Sequence, residues 1–450
     1  MVRPCKASLW SLPEHLLCEA FALVDFQDRA TTLPLVCKRF AELLSTGSAA
    51  WAEVAWTLQV QGHPGVARCC GFLTWLRPRA SHLHKLTIVV ERVAAAALNA
   101  IVLPDMAMAA LQVVLVAARY SLEWLKLVLP STLHLGTWPV EMPHLQTVSL
   151  AALGIQCGRF LQAMPRLQQA ELYTPEGWPP TFATGCEVPS GITRLVMVPA
   201  PSRLPECVLK LRQLAYLDIG GGDFEPGAVD DALPHFTSLR TLALDRGTLQ
   251  AVPRQLSALT GLQVLSLHQA LDGAEIDRSS FAVLSCLTAL STLSISGCAL
   301  HEVPLGVAQL TTLKVLHTEG ALRSLDPGPY CSNLRLLSID WQVLFRDPGG
   351  ILTRTPSLRR LCICLSYLPF LNPWEYAQLH GAAEVLQALA AHPALESVAV
   401  VVFDGDMNLS SVRLTEFLVK LSLCRPVLDV KVVPGSAFFL TEGVGAGVDL

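Results

Sequence analysis

A six-residue pattern of apolar positions recurs along most of the chain from about residue 83 onward. Its first, fourth and sixth positions are apolar, as in residues 262–267 (LQVLSL) and 290–295 (LSTLSI). Clear copies begin at Leu214, Leu239, Leu262, Leu290 and Leu334, and fainter copies begin at Leu83, Leu122, Leu145, Leu167, Ile192, Leu313, Leu358, Leu395 and Val427. Recurrence at such a period predicts one stack of repeats instead of several separate globular domains.

The pattern also predicts which way each side chain points. Alternation along a short strand places the fourth and sixth positions inward and the third, fifth and seventh positions outward. One repeat cannot bury its apolar residues alone, so we expect the repeats to stack into a parallel sheet with a leucine ladder inside. The longer connecting segments should bend that sheet, which leaves the outward positions on one concave wall.

The connecting segments share a second pattern. Residues 248–261 (TLQAVPRQLSALTG) and 299–312 (ALHEVPLGVAQLTT) both contain Val-Pro followed by a short amphipathic turn that ends in Leu-Thr or Leu-Thr-Thr. Starts from Leu122 to Leu358 lie 21 to 28 residues apart. The region of about 83–432 therefore resembles the leucine-rich repeat of intracellular proteins, which implies an α/β solenoid. We expect a longer helix at 376–391 and a frayed glycine-rich end at 441–450.

The first 50 or so residues follow a helical pattern instead. Ser11 and Glu14 form a capping box, and apolar residues then recur on one helical face. Two more short helices are expected before Gly47, and the last of the three helices opens at Pro34. So short a segment buries too little surface to be stable alone, which suggests that it packs against another body.

This N-terminal segment resembles an F-box. The resemblance is carried, in order, by Leu12, Pro13, Leu16, Leu17, Phe21, Asp25, Val36, Cys37, Lys38, Arg39, Phe40 and Trp51. It implies a three-helix module that binds a Skp-family adaptor, which in turn holds a cullin. By motif match, the adaptor-binding candidates are Leu12, Pro13, Leu16, Leu17, Phe21, Val36, Cys37 and Phe40.

The predicted organisation is an F-box at 9–56, a linker or N-terminal cap at 57–82, a leucine-rich-repeat solenoid at 83–432 and a tail at 433–450. An alternative assigns the N-terminal helices a simpler role, because solenoids need polar caps at their ends to remain in solution. In that case the helices would cover the leucine ladder and bind no adaptor.

Composition limits the cellular setting. Hydrophobic residues make up 52% of the chain, charged residues 16%, and the mean hydropathy is +0.44. The most apolar stretch, 93–118, is broken by Pro104 and Asp105 into pieces shorter than the roughly 20 residues of a membrane span. The net charge of −4 is not gathered into a basic stripe, so neither nucleic acid nor a membrane surface is expected as a partner. Without a recognisable signal peptide, the 14 cysteines indicate reduced thiols and a cytoplasmic or nuclear location.

No motif predicts catalysis, and we expect neither an enzyme nor a cofactor. The chain has no HExxH, CxxC, GxSxG or phosphate-loop motif. Cys362 and Cys364 occupy outward positions on one strand and would bind a metal only with further ligands nearby. His268 and His317 are expected to be surface contacts, since spacing fixes no nucleophile beside them.

The expected function is therefore target recognition for a ubiquitin ligase, with the concave wall gripping a protein substrate. Interfaces favour aromatic residues and arginine at their energetic centres. The predicted target-binding residues are Trp124, Tyr173, Tyr216, Asp218, Asp245, Arg246, His268, His317, Asp340 and Trp341. Two alternatives stay open: a non-degradative leucine-rich scaffold, and a receptor whose Arg335, Arg359 and Arg360 hold a small anionic ligand.

Overall fold

The structure is a computed structural model in which part of the chain is described. The described residues are 13–24, 44, 51–60, 62–92, 105–134, 141–157, 160–175, 177–247, 249, 251–271, 278–298, 300, 302–320, 322, 324–365, 382–402, 419–425 and 427–434. They fall into two compact units, the first made of Met1–Pro199 with Pro205–Leu211 and the second of Ala200–Leu204 with Arg212–Leu450.

The first unit combines four described α-helices with six strands. The helices are α1 (Glu14–Ala22), α2 (Gly62–Leu76), α3 (Asp105–Ala118) and α4 (Glu206–Leu209). The strands are β1 (Glu53–Val60), β2 (Lys85–Arg92), β3 (Trp124–His134), β4 (Thr147–Gln156), β5 (Gln169–Tyr173) and β6 (Arg194–Val198). Neighbouring strands pair in parallel and in chain order from β1 to β6.

An aromatic cluster joins β1 to α2 at the start of this unit. Trp56 stacks on Phe72 with ring centroids 3.9 Å apart, and Trp51 meets Trp75 edge-on at 5.1 Å. The Arg79 guanidinium lies 4.2 Å from the centre of the Trp75 ring. Such contacts between rings and cations stabilise beyond the area they bury, so the first strand is firmly packed.

The second unit is built from nine strands and five described α-helices. The strands are β7 (Tyr216–Asp218), β8 (Thr241–Ala243), β9 (Val264–Ser266), β10 (Thr292–Ser294), β11 (Val315–His317), β12 (Leu336–Asp340), β13 (Arg360–Leu365), β14 (Ser397–Val402) and β15 (Asp429–Pro434). The helices are α5 (Ala228–Ala232), α6 (Leu305–Ala308), α7 (Trp341–Arg346), α8 (Pro348–Arg354) and α9 (Ala382–Ala391). Short 3-10 helices complete several connections, and residues 419–424 are also helical.

The predicted leucine ladder is confirmed in this unit. Consecutive strands pair in parallel with the fourth positions in register, so that Leu242 faces Leu265 and Leu293 faces Leu316. These four side chains are fully buried. Burying a leucine side chain contributes about 1.5–3 kcal/mol, and this repeated burial is what stacks the repeats. The Val427 copy departs from the ladder, because that side chain is 90% exposed although β15 is paired in register with β14.

A left-handed turn follows the strand at the eighth position of five successive repeats. Glycine occupies it in three of them, at Gly221, Gly297 and Gly320, with φ of 67°, 74° and 68°. Arg246 and Gln269 adopt the same conformation with φ of 55° and 52°. A side chain in this region costs about 1–2 kcal/mol, so the turn is imposed by the stacking of its neighbours.

The expected leucine-rich-repeat solenoid agrees with this parallel register and buried ladder, whereas the three-helix F-box is not confirmed. Only α1 of that module is described as a whole, and the predicted second and third helices lie largely outside the described residues. Strand β1 crosses the predicted boundary between 9–56 and 57–82, and the domain boundaries stay predictions. Helix α9 covers the described part of the helix predicted at 376–391.

The predicted tail end at 441–450 lies outside the described residues. Among the residues that are described, none of the helices is long and apolar enough to span a bilayer. The broken stretch at 93–118 is represented by α3, which begins at Asp105.

Candidate functional site

A line of polar side chains crosses the outward face of the second unit. We call it the polar track, and its members are Asp218, Asp245, Ser266, His268, Ser294, Ser296, His317, Glu319, Ser338 and Asp340. All occupy the fifth or seventh position of a repeat. Strand register brings several of them together, because Ser294 lies opposite both Ser266 and His317, and His317 lies opposite Ser338.

Asp245 is the centre of the first polar cluster in the track. Its Oδ1 accepts a short hydrogen bond from Ser266 Oγ and a second from the backbone N–H of His268 at 3.0 Å. Burial raises the pKa of the Asp245 carboxyl, and the hydrogen bond from Ser266 together with the nearby His268 opposes that rise. Burial also lowers the pKa of His268. The cluster is therefore tied together across two strands.

Glu319 is the centre of the second cluster. Ser296 Oγ donates a short hydrogen bond to its Oε2, and His317 Nδ1 lies 3.5 Å from Oε1. Burial alone would raise the pKa of Glu319, but hydrogen bonds from His317, Ser296 and Ser338, with the charge of His317, outweigh it and lower the pKa. This carboxylate is 6% exposed, and its neighbours favour the charged form although burial opposes it.

Two further carboxylates in the track hold turns. Asp340 Oδ2 accepts from the backbone N–H of Gly320 at 2.6 Å, and Asp218 Oδ1 accepts from the N–H of Gly220 at 3.2 Å. A carboxylate that accepts backbone N–H bonds fixes the local chain direction. These aspartates thus shape the outward face as well as charging it.

The predicted target contacts fall into different environments. In the first unit Trp124 is half-buried on β3, while Tyr173 on β5 is exposed. In the second unit Tyr216 is half-buried and Arg246 is exposed. Trp341 begins α7 and is buried, with its ring 5.7 Å from that of Phe345, so the helix removes it from the outward sheet surface.

The predicted adaptor residues are split by α1. The helix begins directly after Pro13, which is its N-cap, so Glu14 is the first helical residue and not the third one that the predicted capping box requires. Leu17 and Phe21 are buried on one face, whereas Pro13 and Leu16 are exposed. Leu12, Val36, Cys37 and Phe40 lie outside the described residues. The described part of the set therefore divides into two supporting side chains and two accessible ones.

The trailing tryptophan of the F-box resemblance is held in place. Trp51 is buried, and its indole Nε1 donates to the carbonyl of Leu44 at 2.6 Å. Leu44 is itself buried. This hydrogen bond fixes Trp51, which lies two residues before β1, to Leu44 in the F-box-like segment.

The cysteines considered as metal ligands are buried instead. Cys362 and Cys364 pack with Val401 in a small apolar cluster on β13 and β14. Burial raises the pKa of Cys364 and raises that of Cys69 to about 11, which disfavours the thiolate that a metal needs. In the described part of the chain, no group of three or more His, Cys, Asp or Glu side chains is arranged to hold a metal ion.

Sequence reasoning missed half of the polar track. The missed members are Ser266, Ser294, Ser296, Glu319 and Ser338. A signal existed, because serine recurs at the fifth position of three repeats and carboxylates occupy nearby seventh positions. Serine does not stand out as an interface residue, because the energetic centres of interfaces favour aromatic residues and arginine.

Comparison with known proteins adds only a weak fold likeness. The sequence matches no protein-family model, and a search of curated proteins finds no relative. An internalin from Listeria monocytogenes is 12% identical with a TM-score of 0.41, over 85% of this chain and 87% of the internalin. A leucine-rich-repeat protein from Leptospira interrogans is 18% identical with a TM-score of 0.41, over 64% of this chain and 73% of that protein. These scores carry no argument, and the repeat assignment rests on the register and the buried ladder.

Proposed function

We propose that this chain is the substrate-recognition subunit of an SCF-type ubiquitin ligase. Its N-terminal helices bind a Skp-family adaptor, which links it to a cullin, and the outward face of the leucine-rich sheet binds a target protein. The observation that carries the proposal is the F-box-like residue order from Leu12 to Trp51, joined in one chain to the repeats. The division of α1 into a buried face and an accessible Leu16 supports it.

The proposed mechanism is proximity. The chain itself supplies no reacting group, and the conjugating enzyme recruited through the cullin transfers ubiquitin to a lysine of the target. Holding that lysine close raises its effective concentration, which accelerates transfer without a new chemical step. The exposed Arg246, Arg359 and Arg360 support the target-binding half, because charged side chains on the surface can select a partner of complementary charge.

The test compares two exposed leucines at the same helix. Leu16 is 40% exposed and belongs to the predicted adaptor set, whereas Leu23, 90% exposed, does not. We expect Leu16→Ala to weaken adaptor capture by about tenfold or more, since a buried leucine side chain contributes about 1.5–3 kcal/mol at an interface. Leu23→Ala is the matched control and should bind like the wild type.

Purified full-length proteins would be titrated with the Skp-family adaptor by isothermal calorimetry, after thermal unfolding has shown both variants to be folded. A folded wild-type chain that does not bind the adaptor would sink the proposal. Equal losses in both variants would also count against it, because the motif residue would then have no special part.

A further inference from the structure

A second row of side chains crosses the start of the strands in the second unit, at the second position of each repeat. The backbone fixes this row. Arg335 N donates to the carbonyl of Lys314 at 2.7 Å, and Arg359 N and Arg360 N both donate to the carbonyl of Arg335 at 2.9 Å. Lys314, Arg335 and Arg359 thus hold the second position of three neighbouring repeats, directly before their strands, and Arg360 follows at the third position. We call these four residues the basic row.

The charges of the basic row are poorly balanced. Strands lie about 4.8 Å apart, so these cations fit within roughly 10 Å of one another. Among the described residues, the one ion pair made by the row joins Arg359 Nη1 to Glu396 Oε1 at 3.4 Å, and both of these side chains are more than half exposed. Like charges on adjacent strands are destabilising. A row that keeps them together is therefore suited to an anion.

The basic row is not a general property of the repeats. The same hydrogen-bonded position in the first unit is occupied by His84, Glu123, Gln146, Gln168 and Thr193. These second positions contain no lysine or arginine, whereas Lys85 and Arg194 occupy third positions of the first unit. The repeat fold does not require cations at this position, so their concentration on β11 to β13 needs a separate cause.

A cavity adjoins the end of the row. Its volume is about 390 Å³, and its lining includes Arg359, Arg425, Glu396, Pro393 and Val427. Val427 is 90% exposed. Cations next to exposed apolar surface suit a ligand that carries carboxylates and an apolar group.

We propose that the basic row binds a short acidic peptide segment, with one apolar side chain of that segment entering the adjoining cavity. About four extended residues span 10–13 Å, which matches the length of the row. A nucleic acid fits less well, because four cations do not make the long basic stripe that a phosphate backbone needs. The interpretation that this peptide belongs to a target protein rests on the proposed function, whereas the binding of the peptide does not.

The probe is a fluorescein-labelled peptide of four glutamates followed by leucine, titrated with the full-length chain and read by fluorescence anisotropy. The chain carries a net charge of −4, so its overall charge repels the glutamate peptide and any binding must come from a local cluster of cations. We expect saturable binding that weakens at high salt, since exposed charges are screened over about 8 Å at physiological ionic strength. A peptide of four lysines followed by leucine should not bind.

The variants reverse charge inside and outside the row. Arg335→Glu with Arg359→Glu should weaken glutamate-peptide binding by about tenfold or more, since each change removes an attraction and adds a repulsion. Arg254→Glu makes the same type of change at an exposed 3-10 helix and should bind like the wild type. Adaptor binding should be unchanged in all of them, which separates this test from that of the proposed function.

Three outcomes would overturn the proposal: no binding of the glutamate peptide, equal binding of the lysine peptide, or equal losses in the double variant and Arg254→Glu. Unchanged thermal unfolding of each variant shows that a loss does not come from misfolding. Replacing the terminal leucine of the peptide by glycine should weaken binding about threefold or more, which tests the cavity.

Discussion

Removing the hydrogen bond between Ser296 and Glu319 tests how much the contacts within the polar track stabilise the protein. Its donor and acceptor residues are 1% and 6% exposed, so water does not replace a lost partner. Hydrogen bonds to charged groups contribute about 1.5–3 kcal/mol. Because His317 Nδ1 also lies 3.5 Å from Oε1, Glu319 would keep a polar neighbour. We therefore expect Ser296→Ala to lower the free energy of unfolding by about 2 kcal/mol.

The control is Ser291→Ala, which removes an exposed hydrogen bond of 3.1 Å to the carbonyl of Gln263. This change should cost less than about 0.5 kcal/mol. Urea unfolding followed by circular dichroism gives both values, provided that the dependence on urea is the same for each protein. Combining Ser296→Ala with Glu319→Gln should give a coupling free energy of about 1.5 kcal/mol. Equal costs for the two serine changes, or a coupling near zero, would refute the reasoning.

Two further predictions concern packing and pH. A Cβ added at Gly306 would overlap the carbonyl oxygen of Phe281, whereas the space around Gly261 is open. Gly306→Ala should therefore lower the free energy of unfolding in urea by about 1–3 kcal/mol, and the control Gly261→Ala should not. Equal losses in the two variants would contradict the overlap. Because burial puts the folded pKa of His268 below its ordinary 6.5, the unfolded chain binds the proton more readily. This contribution to stability is fully present above pH 6.5 and is lost as the pH falls towards the folded pKa of His268. The variant His268→Gln should therefore show a smaller fall in the free energy of unfolding between about pH 7 and 5. Identical pH profiles for the variant and the wild type would contradict this prediction.

The ladder was predictable because it depends on spacing alone. Wherever the first, fourth and sixth positions are leucine or isoleucine, alternation along the strand fixes their direction without knowledge of the neighbours. Thr318 shows how far that reasoning extends. It fills the sixth position of the Leu313 repeat, is buried, and donates its hydroxyl to the carbonyl of Ser338 at 3.0 Å. Spacing predicts that this position points inward, but it does not predict the hydrogen bond that makes a buried threonine acceptable there.

The contacts within the polar track were not predictable in the same way. Ser296 and Glu319 lie 23 residues apart, and their meeting depends on the register between two particular strands. Repeat lengths that vary from 21 to 28 residues leave that register open. Trp341 was placed on the outward wall by its position after β12, but a helix starts at this residue and turns its ring inward. Local spacing carries no information about where a connecting helix begins.

The burial of the polar track decides which side chains are free to select a partner. The Asp245 and Glu319 carboxylates already accept hydrogen bonds from serines of the same chain, so a ligand would have to compete with those bonds for little net gain. Arg246, Arg359 and Arg360 are exposed and make fewer contacts of this kind. Alanine at a track residue should therefore act mainly on stability, whereas alanine at these arginines should act mainly on binding. A loss of binding without loss of stability points to the exposed side chains as the ones that recognise the partner.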